Sequence, residues 1–193
     1  MNTRLFTAIE LPAELGQQIE QVMAAYQARL PKGVVRWVKP HGLHITARFY
    51  GDTPAHLIPD LQGGLARVAQ ASASFMLTVE GLGVFPNPRK PQVLWVGVGG
   101  ETAALERAHQ MLEAEALQLG FKPDDKAFSP HFTLGRVNAN VKPADLQTLL
   151  DFLAQTRLAK IGEFRADSLS LMQSQLRPGG SVYTQLFNAK FGK

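Results

Sequence analysis

Two short stretches of this chain repeat one arrangement of polar groups. His44-Ile45-Thr46-Ala47-Arg48-Phe49 and His131-Phe132-Thr133-Leu134-Gly135-Arg136 each place a hydroxyl two residues after an imidazole. Both alternate polar and apolar side chains, the period-2 pattern of a strand with one buried face. That period puts His44 with Thr46, and His131 with Thr133, on a common face, and leaves Ile45, Ala47 and Phe49, or Phe132 and Leu134, for a core. An imidazole titrates at about pH 6.5, so a pair of them can divide acid and base work near neutrality. A neutral ring takes a proton from a nucleophile and a protonated ring delivers one to a leaving oxygen, each act worth ~10²–10⁴ in rate. In-line attack on a phosphodiester needs these two acts on opposite sides of phosphorus. The two Thr hydroxyls are β-branched, rotamer-poor donors suited to the non-bridging oxygens. An arginine would add a two-pronged phosphate contact. Arg48 is in phase with His44 and Thr46, whereas Arg136 is out of phase with His131 and reaches the same face only through a twist or bulge.

Other chemistries fit less well. The chain has no Cys, which excludes a thiolate nucleophile, a disulfide framework and a Cys-based zinc site. Neither histidine is flanked by a carboxylate, and no H-E-x-x-H or H-x-H spacing occurs, so neither a metal nor another cofactor is expected. No G-x-S-x-G is present, and no G-x-G-x-x-G follows a strand. His41 in a turn, His56 at a helix start and His109 on a helix read as ordinary residues.

The elements that must position the two motifs can be taken in order. Arg4 to Leu11 reads as a strand, and Glu14 to Leu30 as a helix with a stripe of Leu15, Ile19, Val22, Met23 and Tyr26. Val34 to Val38 is a short strand before the first motif. Gly51-Asp52-Thr53-Pro54 ends that motif's strand, with Asp52 or Thr53 as the N-cap of a helix to about Ala71. Phe75 to Phe85 and Gln92 to Val98 are strands around a stiff basic loop, Pro86 to Pro91. Glu101 to Leu119 is a helix closed by Gly120. Pro130 introduces the second motif, Pro143 to Ala154 is a helix, and Glu163 to Met172 is one strand. Arg177-Pro178-Gly179-Gly180 turns into a return strand, Ser181 to Phe187. Helix, H-x-T strand, helix thus occurs once per half. The expected class is α+β: two pseudo-symmetric lobes, each a mainly antiparallel sheet with flanking helices, facing each other across a cleft. The motifs at 44–47 and 131–134 would be the lobes' contributions to one bilobal domain spanning 1–193.

At 193 residues, with 45% apolar and 19% charged side chains, the chain can bury an ample core. No apolar run approaches the ~20 residues of a membrane helix, and Met1 to Pro12 is a poor signal peptide. No membrane partner is expected; a monomer in the cytoplasm is. The net charge of +4 lies wholly in residues 156–193, where six basic side chains (Arg157, Lys160, Arg165, Arg177, Lys190, Lys193) face two acidic ones, Glu163 and Asp167. A basic face favours a polyanionic partner.

At these residues the chain resembles the 2H phosphoesterase superfamily, and within it the RNA 2',3'-cyclic phosphodiesterases, also called 2'-5' RNA ligases. The resemblance runs through Arg4 to Ile9 with Leu11-Pro12, then His44 to Ala47 with Phe49 and Gly51. It continues through Arg89, Pro91 and Val93 to Val98, then Pro130 to Leu134 with Arg136, and finally Ser174, Leu176, Gly180 and Tyr183. It implies a bilobal fold and metal-free hydrolysis of an RNA terminal 2',3'-cyclic phosphate to a 2'-phosphomonoester. By the family's pattern His44 is the proton donor to the leaving 3' oxygen and His131 the base that activates water. Arg136 matches the family's arginine after the second motif, and joins Thr46 and Thr133, the donors already read from the two strands, at the phosphate. Reversible transesterification at the same phosphate would join RNA halves, such as tRNA halves, through a 2'-5' bond. Ala47, Tyr50 and Gly135 depart from the family's usual residues and bear on the base pocket. Two rival readings are a non-catalytic RNA-binding module and the same chemistry on small cyclic nucleotides such as an ADP-ribose cyclic phosphate.

Overall fold

The strand carrying His44 and the strand carrying His131 are neighbours in one antiparallel sheet. In the computed structural model, which describes residues 2–124, 127–177 and 180–192, the chain runs β1 (Asn2–Glu10), α1 (Ala13–Arg29), β2 (Val35–Trp37), β3 (His44–Pro54), α2 (Ile58–Ala71), β4 (Phe75–Phe85), β5 (Val93–Gly100), α3 (Thr102–Gln118), β6 (His131–Val137), α4 (Pro143–Gln155), β7 (Gly162–Ala166), β8 (Ser168–Arg177) and β9 (Gly180–Lys190). The strand order is β7-β4-β5-β6-β3-β1-β8-β9, with β2 paired to β6 off this path.

That order is pseudo-symmetric about the β6–β3 junction. β3, β1, β8 and β9 form one half-sheet, and β6, β5, β4 and β7 form the other. β1 and β5 each lead through a helix to an H-x-T strand, with the short β2 intervening in the first copy, and each H-x-T strand leads to another helix. This is the α+β, bilobal, pseudo-symmetric arrangement expected from the coarse repeat. The lobes, however, are not the two halves of the chain. β4 follows the first motif yet pairs with β5, in the half-sheet of the second motif, and β8 returns late in the chain to pair with β1. The two half-sheets meet through one residue pair, Ile45 opposite Phe132.

The helices cover the sheet's apolar face. Leu15, Ile19, Met23 and Tyr26 of α1, Leu61, Leu65 and Val68 of α2, and Leu105 and Leu112 of α3 join Ile45, Leu77, Val96, Phe132 and Leu134 in one core. These helical positions recur at three- and four-residue spacing, and the strand positions alternate, so each element turns one face inward.

Two expectations are corrected. β3 does not stop at Gly51: pairing with β1 continues from Leu5 opposite Gly51 to Asn2 opposite Pro54. Thr53 is therefore no N-cap; its hydroxyl is buried and donates to the Gly51 carbonyl at 3.1 Å. Asp52 lies in the same strand, and α2 begins at Ile58 after a 3-10 turn, without a side-chain cap. The ladder offered by the first residues of β1 outcompetes the local cap. Likewise the strand expected over Glu163 to Met172 is two strands at opposite ends of the sheet, β7 beside β4 and β8 beside β1. The apolar phase marks the break: Phe164 and Ala166 are buried on even numbers, Leu169 and Leu171 on odd ones. The hairpin after Arg177 forms as expected, with Arg177 opposite Gly180; Pro178 and Gly179 of its turn, and Lys193 of the basic segment, lie outside the described residues.

Phe132 is fully buried at the junction of the half-sheets. Its truncation to Ala removes a large side chain from packed surroundings, and the expected loss is ~3–5 kcal/mol of unfolding free energy. Urea denaturation of Phe132→Ala against the wild type measures it, and a loss below 1 kcal/mol would show that the junction does not depend on this ring.

Candidate active site

Burial of Ile45 and Phe132 sends the alternate side chains of β3 and β6 to the opposite face. His44, Thr46, His131 and Thr133 therefore share one face, two from each strand, related by a pseudo-twofold passing near the Ile45–Phe132 pair. The two rings are anchored alike. His44 Nδ1 donates to the carbonyl of Gly42 at 2.7 Å, and His131 Nδ1 donates to that of Ser129 at 2.7 Å. A carbonyl only accepts, so Nδ1 carries the hydrogen in each ring. In the neutral form this leaves Nε2 with a free lone pair, and in the charged form it gives Nε2 a hydrogen to donate. Each acceptor lies two residues before its His: Gly42 ends a 3-10 turn begun by Pro40, and Ser129 precedes Pro130. Among the described residues neither Thr hydroxyl takes a protein hydrogen-bond partner, so both remain available to a ligand.

Aromatic rings wall each imidazole. His44 lies 4.7 Å from Phe6 and 4.9 Å, edge-on, from Tyr183. His131 lies 4.9 Å, edge-on, from Phe85 and 6.2 Å from Trp95. Trp95 lies flat across β4 only because its partner is Gly83, where a Cβ would fall 2.1 Å from the indole. Phe6 and Phe85 escaped the sequence reading. Both sit in strands whose faces were legible, but the registers that bring them to a histidine are not encoded locally.

These walls shift both titrations. Burial lowers the pKa of His44 below the ordinary imidazole value; the Gly42 carbonyl and the Glu10 carboxylate oppose this, and charge on His131 adds to it. Burial also lowers His131, against the Ser129 carbonyl, and the Arg136 guanidinium lowers it further. The two rings are thus close enough to feel each other's charge, and a symmetric pair has asymmetric surroundings. Glu10, opposite His44 on β1, favours a proton there. It is held by Gln185 Nε2 at 2.6 Å and by the Ser170 hydroxyl, which also accepts from Asn188 at 2.9 Å. Arg136 disfavours a proton on His131.

Of the two arginines expected at the phosphate, the structure brings one to the cleft, opposite to what strict alternation implies. In β3, Ala8 pairs with Thr46 and Thr7 with Arg48, so Ala47 is an extra residue, a bulge. The bulge flips the phase. Arg48 turns to the buried face, where its Nε forms an ion pair with Glu113 of α3 and its Nη2 donates to the Lys122 carbonyl at 2.7 Å. It faces away from the cleft and braces the sheet from behind. Beside it the Tyr50 hydroxyl, bonded to Thr7 at 3.0 Å, is pushed up to about 12, chiefly by burial. In β6, Trp95 pairs with Thr133 and Leu94 with Gly135, so Leu134 is the extra residue. This second bulge brings Arg136 onto the face of His131 and Thr133.

Both bulge carbonyls are satisfied: that of Leu134 by the Val38 amide at 2.9 Å, and that of Ala47 by His109 Nδ1 at 2.7 Å. His109 also stacks on Phe128, at 4.2 Å and 6°, just ahead of the second motif. It thereby links the back of the first motif strand to the segment leading into the second, a role its place on a helix did not signal. His41 and His56 are exposed in 3-10 turns. Among the described residues no three His, Asp or Glu side chains gather where an ion could sit, and no helix is long and apolar enough to cross a membrane.

A sequence profile of the 2'-5' RNA ligase superfamily matches residues 8–177, spanning both motifs. The chain belongs to this superfamily. It is 29% identical over 188 residues to the RNA 2',3'-cyclic phosphodiesterase of Methanothermobacter thermautotrophicus, covering 96% of this chain and 97% of that one. It is 31% identical over 186 residues to the protein of the same name from Archaeoglobus fulgidus, covering 95% and 97%. Escherichia coli LigT, solved in complex with 3'-AMP, superposes with a TM-score of 0.79 over the whole of both chains at 26% identity.

The reversed arginines make opposite predictions for two substitutions. Glu113→Ala strands the buried Arg48 charge, and ~3–5 kcal/mol of stability should be lost. Arg136→Ala removes an exposed side chain, so stability should stay within about 0.5 kcal/mol, while binding of inorganic phosphate in the cleft weakens. Denaturation and phosphate titration of both variants separate the roles; equal phosphate affinity in Arg136→Ala and wild type would remove Arg136 from the site.

Proposed function

We propose that this cleft hydrolyses the terminal 2',3'-cyclic phosphate of RNA to a 2'-phosphomonoester. The observation that carries the reading is the pair of identically anchored imidazoles, whose Nε2 atoms serve one face of the sheet from two adjoining strands. His131 Nε2 takes a proton from water as the water oxygen bonds to phosphorus. His44 Nε2 gives its proton to the 3' oxygen as the P–O3' bond breaks, leaving phosphate on O2'. The charges beside the rings favour this division, since Glu10 supports a proton on His44 and Arg136 opposes one on His131. Thr46 and Thr133 donate to the non-bridging oxygens, and Arg136 offsets their charge, donors in place before the charge develops. The relatives named RNA 2',3'-cyclic phosphodiesterase, with both motifs inside the matched regions, support the same assignment. With an RNA 5' hydroxyl in place of water, attacking phosphorus as O3' leaves, the same groups would form a 2'-5' linkage.

Replacing His44 or His131 by Ala should lower kcat on a mononucleoside 2',3'-cyclic phosphate by ~10²–10⁴, with circular dichroism unchanged and wild-type activity preserved in EDTA. Near-wild-type turnover by either variant sinks the reading. The pH profile carries a second test. One ring must be protonated and the other neutral, so kcat/KM is bell-shaped with its optimum midway between the two pKa values. Both are lowered, which puts the optimum below about 6.5, the free imidazole value. Glu10→Gln removes the charge that favours the His44 imidazolium, lowers that pKa further, and should move the optimum to still lower pH. An optimum that stays put or rises in Glu10→Gln contradicts His44 as one of the two groups whose titration sets the profile.

A further inference from the structure

The positive charge most available to a polyanion is not where the net charge lies along the chain. Each described basic side chain of residues 156–193 already has an intramolecular partner. Lys160 pairs with Glu163 at 2.6 Å and Lys190 with Asp167 at 3.0 Å. Arg157 donates to the carbonyls of Ala154 and Thr156, Arg165 to the Ser74 hydroxyl at 2.7 Å, and Arg177 to Gln175 at 3.0 Å. Three other segments meet at the Arg136 end of β6. β2 lies alongside it, β5 lies on its other side, and the 86–91 loop is closed by the Gln92 amide on the Phe85 carbonyl at 2.7 Å. The Val137 amide bonds Gln92 and the Asn138 amide bonds Val34, each at 2.9 Å, which fastens the three together. Residues 31–42, 85–93 and 132–142 contain Lys32, Arg36, Lys39, Arg89, Lys90, Arg136 and Lys142 and no Asp or Glu. All seven are exposed, and none takes part in an ion pair among the described residues.

Within this rim one juxtaposition is specific. Arg36 of β2 stands directly opposite Arg136 of β6, on the same face. Residues directly opposite in an antiparallel pair have Cβ atoms about 5 Å apart, where like charges repel. An anion lying between or across the two guanidinium groups relieves that repulsion and gains charge-assisted hydrogen bonds from both. Arg136 is near enough to His131 to depress its titration, so Arg36 lies one strand further from the reacting phosphorus, along the path a chain leaving the cleft over β2 would take.

We propose that this rim is the docking track for the body of a single-stranded RNA, with Arg36 gripping the phosphodiester next to the terminal cyclic phosphate. This rests on the function proposed above and adds to it the reason a polynucleotide would be preferred to a mononucleotide. The neighbouring phosphate exists only in the polymer, so Arg36 discriminates by chain length and not by chemistry at the scissile bond. Arg89 and Lys90, on the stiff loop, extend the track without the ordering cost of a flexible segment.

The test compares kcat/KM for an RNA oligonucleotide ending in a 2',3'-cyclic phosphate with kcat/KM for a mononucleoside 2',3'-cyclic phosphate, at several salt concentrations. In wild type the ratio should exceed one and fall with salt. Arg36→Ala should lower the ratio by roughly tenfold, the loss of one charge-assisted contact, and reduce the salt slope for the oligonucleotide by about 0.7. Arg36→Lys should recover part of the ratio, and the double variant R89A/K90A, in an exposed loop, should lower it as well. An unchanged ratio and slope in both Arg36→Ala and R89A/K90A overturns the docking track while leaving the hydrolase reading intact. So does a drop in ratio confined to Arg177→Ala, which would return the RNA body to the C-terminal segment. Wild type that turns over neither substrate fails the hydrolase reading itself and this inference with it.

Discussion

Ile45 opposite Phe132 is the one strand pair through which the two half-sheets meet. Both side chains are fully buried, and the period of a strand is two, so their burial obliges His44, Thr46, His131 and Thr133 to face the other way. A slip of one residue in either strand would bury an imidazole and a hydroxyl and expose an aromatic or aliphatic group. The spacing of the candidate catalytic groups is therefore held by the same free energy that holds the fold together. No loop has to order to assemble them.

The scaffold is symmetric and the electrostatics are not. Each ring leans on a carbonyl two residues upstream, and each is walled by two aromatic rings that exclude water and favour the neutral imidazole. A strictly symmetric pair would have no reason to favour a proton on one ring over the other. Glu10 on one side and Arg136 on the other break the tie in opposite senses. Neither charge belongs to an H-x-T motif: Glu10 comes from the neighbouring strand, and Arg136 comes from beyond a bulge.

The bulges matter because they decide which side chains accompany the motifs. At Ala47 the extra residue rotates Arg48 to the helical side, where Glu113 and the Lys122 carbonyl receive it. At Leu134 the extra residue rotates Arg136 to the open side. A bulge leaves a carbonyl outside the regular ladder, and such a group buried without a partner is costly. His109 and the Val38 amide meet that need. The helix bearing His109 also bears Glu113, so one element supports both consequences of the first bulge.

Much of this protein was readable residue by residue. The H-x-T pairs, the phase that sets His and Thr against Ile or Phe, the helices at 13–29 and 102–118, and the α+β class all follow from short-range periodicity. The misreadings share a cause. Asp52 and Thr53 looked like a helix cap because the competing ladder is supplied by residues 2–5, some fifty positions away. Strict alternation puts Arg48 beside His44 and Thr46 and sets Arg136 apart from His131, because it has no knowledge of the bulges at Ala47 and Leu134. Phe6, Phe85 and Glu10 reached a histidine through registers between distant strands. Local sequence determines what an element is and which of its faces is apolar, since those depend on neighbours three or four residues away. Which charge and which ring stand beside each histidine was decided by tertiary pairing, because one inserted residue reverses every side chain that follows it.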